Sequence, residues 1–106
     1  MDDMKQNESR LVYQIMQTLG RHGAVYRCNA GAVKLGGGRW FRAMPKGFAD
    51  VMLVLPGGRV AFVECKADKG RLSDEQERFL ERMRSLGALA CVATSVAEAM
   101  EICQLE

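Results

Sequence analysis

Asp50, Glu64 and Lys66 are the residues of this chain whose types and spacing best suit chemistry. Glu64-Cys65-Lys66 closes an apolar run that begins at Arg59. A strand alternates its side chains with period two, so Glu64 and Lys66 share one face and Cys65 takes the other. Asp50 opens a second apolar run, Val51 to Leu55, and Pro56-Gly57-Gly58 between the runs has the residues of a tight turn. Paired as a hairpin, the two strands set Asp50 and Glu64 side by side at one end of a sheet. Adjacent carboxylates repel each other unless a cation lies between them. Lys66 then stands near an attacking water or a phosphate. Two acids, a divalent ion and an ammonium group are what metal-dependent cleavage of a phosphodiester requires.

These side chains need elements to hold them. Leu11, Val12, Ile15, Met16 and Leu19 follow helical spacing and predict a helix from about Asn7 to His22, carrying Glu8 near its start. Ala24 to Cys28 reads as a short strand. The glycine-rich stretch Asn29 to Lys46 reads as a loop, with room for short strands at Ala32 to Leu35 and Arg39 to Ala43. Asp50 to Leu55 and Arg59 to Lys66 form the strongest strand pair. Ser73 and Gln76 fit a capping box for a helix to Leu86, with Phe79, Leu80, Met83 and Leu86 inward and Gly87 as terminator. Ala88 to Ala93 reads as a strand buried on both faces. Thr94 or Ser95 caps a last helix through Gln104. The result is an α/β fold of order αβββαβα, a small mixed sheet with helices on both faces and the Ala88 strand parallel to the Glu64 strand.

Composition limits the alternatives. The 106 residues make one domain with a modest core, and a net charge of +2 leaves nucleic-acid contact to local clusters. No apolar run is long enough to span a bilayer, and the polar N-terminus lacks a signal-peptide core. Cys28, Cys65, Cys91 and Cys103 match no zinc spacing and read as free thiols, which suits a reducing cytoplasm. A hard divalent cation prefers oxygen ligands, so the carboxylates suit it where the thiols do not.

Glu8, Gly47-Phe48-Ala49-Asp50, Val63-Glu64-Cys65-Lys66 and Ser73-Asp74-Glu75-Gln76, in this order and on these elements, resemble the PD-(D/E)xK nuclease superfamily. Within it they are most similar to the virus-type replication-repair nuclease (VRR-NUC) family in its short stand-alone form, over almost the whole chain. The resemblance implies a restriction-endonuclease-like core that binds magnesium or manganese. It makes Asp50 and Glu64 the metal ligands, with the Cys65 carbonyl as a third. Lys66 would orient or activate water, Glu8 would complete the site directly or through water, and Gln76 is a secondary catalytic candidate. It further implies a homodimer that cuts four-way DNA junctions, as in phage replication and repair.

The plainer readings stand beside these. An isolated ExK is more often an exposed pair on an edge strand; Phe62 on the same face and Asp50 in the next strand favour a site. Glu8 equally suits a helix N-terminus through the macrodipole, and Gln76 a capping box. His22 reads as a helix-end residue. Lys34, Arg39, Trp40, Arg42 and Lys46 form no P-loop, because no GK[ST] follows. They suit a solvated hairpin, or backbone contact and stacking on unpaired bases. Lys69 and Arg71 are further phosphate-contact candidates. Trp40, Phe41, Met44 and the apolar face of the first or last helix are candidates for a dimer surface. Competing functions are a flap, branched-DNA or restriction-type nuclease, a non-catalytic DNA-binding module of the same fold, and a small partner-binding domain.

Overall fold

Two hairpins in this chain are closed by nearly the same five residues, Leu35-Gly36-Gly37-Gly38-Arg39 and Leu55-Pro56-Gly57-Gly58-Arg59. In each the leucine N–H donates to the arginine carbonyl at 2.7 Å. The last two glycines of each turn have positive φ, between 74° and 84°, a region that costs glycine almost nothing. A computed structural model describes residues 3–28, 32–42, 44–68 and 71–105, with backbone alone for 3–6, 32, 33 and 42.

The elements run α1 (Asp3–Leu19), β1 (Ala24–Arg27), β2 (Ala32–Lys34), β3 (Trp40–Arg42), β4 (Val51–Val54), β5 (Val60–Cys65), α2 (Asp74–Ser85), β6 (Leu89–Ala93) and α3 (Val96–Ile102). The main sheet has the order β1-β4-β5-β6. Its first three strands are antiparallel, and β6 lies parallel to β5, joined through α2. The strands allowed for in the glycine-rich stretch are real: β2 and β3 pair with each other in a sheet of their own. Helix α1 begins at Asp3 rather than near Asn7. The added first turn holds a single apolar residue, Met4, too little for the spacing to signal a helix there.

Alternation along β5 divides the core. Ala61, Val63 and Cys65 face one side, packed with Leu11, Ile15, Leu19, Ala99 and Cys103 from α1 and the α3 end. Phe62 faces the other side with Ala49, Leu80 and Ala90, against α2. Phe48, Phe62 and Phe79 stack there with ring centroids 4.5–5.8 Å apart. Helices therefore cover both faces of the sheet.

Two packing expectations change. Leu86 is exposed, because it is the C-cap residue and lies past the inward stripe of α2. Strand β6 is only partly buried, with Leu89, Cys91 and Val92 half-exposed, because it forms an edge of the sheet. Arg84 donates its Nε–H to the Ala90 carbonyl at 2.7 Å, which blunts that edge. All four cysteines are free thiols, Cys65 and Cys103 buried, Cys28 and Cys91 half-buried. No helix among the described residues is long and apolar enough to cross a membrane.

Gly47 ties the loop before β4 to the start of α2. Its φ is +92°, and a Cβ there would lie 2.7 Å from the backbone of Glu75. Gly47→Ala is expected to lower unfolding stability by about 1–3 kcal/mol through strain and displaced backbone. Gly36→Ala meets open space at ordinary φ and should change stability little. Equal urea midpoints for the two variants would contradict this packing.

Candidate active site

The site forms where β4 is shorter than β5. The register Val51↔Val63 sets Asp50, just before β4, opposite Glu64. The Asp50 carbonyl accepts the Cys28 N–H at 2.8 Å, which continues the β1 ladder. Its carboxylate turns to β5, where Oδ2 accepts the Cys65 N–H at 2.8 Å. Asp50 is therefore held from both neighbouring strands. A strand residue points its N–H and C=O the same way, so the Cys65 carbonyl also faces the Asp50 side.

Glu64 is 3% exposed. Its Oε2 accepts a hydrogen bond from Gln76 Nε2 at 2.7 Å, and Lys66 Nζ lies 4.0 Å from the same oxygen. Its Oε1 is buried and has no hydrogen-bond partner. Buried carboxylate oxygens without partners are costly and uncommon. This orphaned oxygen, opposite a second carboxylate, fits a hard divalent cation. Among the described residues, no three His, Cys, Asp or Glu side chains close into a metal cage. The protein thus offers two carboxylates and a main-chain carbonyl. That set suits magnesium, which keeps several waters.

Electrostatics follow from this burial. Desolvation pushes Glu64 up to about 8; the neighbouring Asp50 charge adds to the rise, and Lys66 and the nearby Asp50 backbone N–H, too poorly placed for a full hydrogen bond, oppose it. Asp50 is also raised, first by burial and then by the Glu8 charge, against the Cys65 N–H, Lys66 and Arg27. Glu8, half-buried on α1, therefore acts on the pair at Coulombic range from the opposite layer. Burial raises the Cys65 thiol, with the three carboxylates adding to it, and its side chain packs into the α1 face, away from the site.

Gln76 bridges the start of α2 and the end of β5. It completes the capping box with Ser73 and also touches Glu64. Arg27 is a residue that sequence reasoning missed. It ends β1 opposite Val51, and its charge favours ionised Asp50. The signal lay in the strand order, because β1 ends where β4 begins.

The DNA-contact candidates are dispersed. Lys34, Arg39 and Trp40 are exposed on the β2–β3 hairpin, with Trp40 62% and Phe41 54% exposed. That hairpin lies outside the main sheet. Lys46 pairs with Glu75 at 3.7 Å, beside the Gly47 contact. Arg71 is exposed on the approach to α2. Lys69 and the Arg42 side chain lie outside the described residues.

Comparison with known proteins places this geometry. The profile of the VRR-NUC domain matches residues 3–97. A solved structure described as a VRR_NUC domain superposes with a TM-score of 0.66, at 25% sequence identity, over 92% of this chain and 95% of that one. No curated protein matches.

The metal-free fold should depend on pH through Glu64. Folded, this group keeps its proton to about pH 8; unfolded, it loses it near its ordinary value of 4.5. Between those values the folded state holds more protons, so stability falls as pH rises from about 4.5 to 8. Glu64→Gln should flatten that slope in thermal melts with chelator present. An unchanged slope would mean that Glu64 is not the titrating group.

Proposed function

Because this chain belongs to the VRR-NUC domain family, a group of PD-(D/E)xK-type nucleases acting on DNA, we propose that it is a divalent-metal-dependent endodeoxyribonuclease. Its substrate on this reading is branched DNA, above all the four-way junction, and it works as a homodimer. The observation that carries the metal dependence is the buried, unpartnered Glu64 Oε1 opposite Asp50.

Asp50, Glu64 and the Cys65 carbonyl would hold magnesium or manganese. Glu8 would act from the next shell out. When bound, the ion supplies charge neutralisation at the phosphate and a lowered pKa for water. Every other contribution comes from the chain itself. The Cys65 N–H fixes Asp50 Oδ2 and so orients this carboxylate before any ion binds. Lys66, partly exposed and 4.0 Å from Glu64, can reach from the carboxylate pair towards a phosphate. There its ammonium group would orient the nucleophile or offset charge gathering on phosphate oxygens.

Binding would come from Lys34, Arg39 and Trp40 on the β2–β3 hairpin, with Arg42 as its backbone neighbour. Arg71, Lys46 and Lys69 would add contacts around the α2 start, and Arg27 would lie at the site itself. Basic groups beside an exposed indole suit both phosphates and unstacked bases at a branch point. A four-way junction has two-fold symmetry, and paired cuts need two equal sites, which a two-fold dimer supplies. Exposed Trp40 and Phe41 are among the apolar groups available for such a surface. Free thiols throughout fit work in a reducing cytoplasm.

Asp50→Ala, Glu64→Ala and Lys66→Ala should each lower cleavage by at least about 100-fold, as when an electrostatic group worth about 3 kcal/mol is removed, while DNA binding persists. Cleavage of a synthetic junction, a flap and a linear duplex, with and without magnesium, is the direct assay. Symmetric nicks across the junction are expected. Wild-type turnover by any of the three variants would remove that residue from the site, and cutting of flaps alone would replace the junction as substrate. Arg39→Ala should weaken binding and reduce the salt slope by about one; an unchanged slope would remove Arg39 from the interface.

A further inference from the structure

Gln76 has an amide with two unlike ends, and the fold uses both. The Ser73 N–H donates to Gln76 Oε1 at 2.9 Å, and the Gln76 N–H donates to Ser73 Oγ at 3.1 Å. With Oε1 committed to the cap, Nε2 is turned towards the sheet, where it donates to Glu64 Oε2 at 2.7 Å. A flipped amide would oppose N–H to N–H at Ser73 and oxygen to oxygen at Glu64. The two bonds together therefore fix its orientation.

We propose that the N-terminal cap of α2 is a positioning device for the cation site, with Ser73 setting the Gln76 amide and the amide in turn setting Glu64. Gln76 is then a positioning residue that touches neither metal nor DNA. The inference rests on the metal-dependent reading above.

Residue type supports it. A glutamate completes a capping box as well as a glutamine does, so the helix alone has no need of an amide. Once Glu64 is ionised, as cation binding requires, a carboxylate at position 76 would face it oxygen against oxygen. An amide satisfies the cap and donates to Glu64 at once. By engaging Oε2 it leaves Oε1, buried and without a partner, as the oxygen for a cation. Side chains that orient a metal ligand in this way contribute to affinity without touching the ion.

The test is Mn2+ binding to the full chain without DNA, followed by the electron paramagnetic resonance signal of free Mn2+, alongside thermal melts. Gln76→Leu keeps a helix former and the Ser73 Oγ cap but loses the donor to Glu64. It should bind Mn2+ about 10- to 100-fold more weakly, and its melting midpoint should also fall, because the cap loses the Oε1 acceptor and buried Glu64 Oε2 loses its donor. Ser73→Ala loses the hydroxyl cap, which lowers the midpoint, yet keeps the backbone N–H that holds the amide. It should bind Mn2+ like wild type. Wild-type affinity in Gln76→Leu would overturn the proposal, as would losses of affinity in both variants that follow their losses of stability. Wild-type protein that takes up no Mn2+ would instead sink the metal reading itself, and this inference with it.

Discussion

Asp50 and Glu64 are forced together by strand register, and most of the structure answers to that pairing. The antiparallel ladder leaves neither residue free to move away, because Val51 and Val63 beside them are fully buried partners. Two carboxylates so placed, one of them nearly without solvent, are unfavourable in isolation. The fold answers with the Cys65 N–H on Asp50, the Gln76 amide on Glu64 and the Lys66 ammonium nearby. None of these reaches Glu64 Oε1. A destabilised group retained in this way is characteristic of a functional site.

The layers divide the labour. The α1 and α3 side carries the larger apolar cluster, including the Cys65 side chain, so the middle residue of Glu64-Cys65-Lys66 anchors the strand while its neighbours face the candidate site. The α2 side carries the aromatic group of Phe48, Phe62 and Phe79 and ends in Gln76 above Glu64. Gly47 lets the loop approach α2 closely enough for Phe48 to join that group. The same loop leads into Asp50, which couples helix packing to the placement of an acid.

Much of this was legible in the sequence because two periodicities carry it. Alternation in the runs around Pro56-Gly57-Gly58 set the hairpin register, and hence the facing of Asp50 and Glu64. Helical spacing and the Ser73–Gln76 box located α2. Other features depend on neighbours that no local pattern reveals. Arg27 reaches the site through strand order, and Leu86 turns outward because α2 ends at Ser85. Strand β6 is half-exposed because nothing pairs with its outer edge in the sheet. Gln76 posed a choice between cap and site that sequence could not resolve, since only the fold brings Glu64 to the far end of its amide. The start of α1 left little trace because its first turn carries one apolar residue, Met4, among polar ones.

A crystal grown in Mn2+ and measured at the manganese absorption edge tests the central claim most directly. The account predicts an anomalous peak within bonding distance of the Asp50 and Glu64 carboxylates and the Cys65 carbonyl, with Glu64 Oε1 among the ligands. Strong peaks elsewhere with none between these two acids, at a metal concentration that supports cleavage, would contradict it.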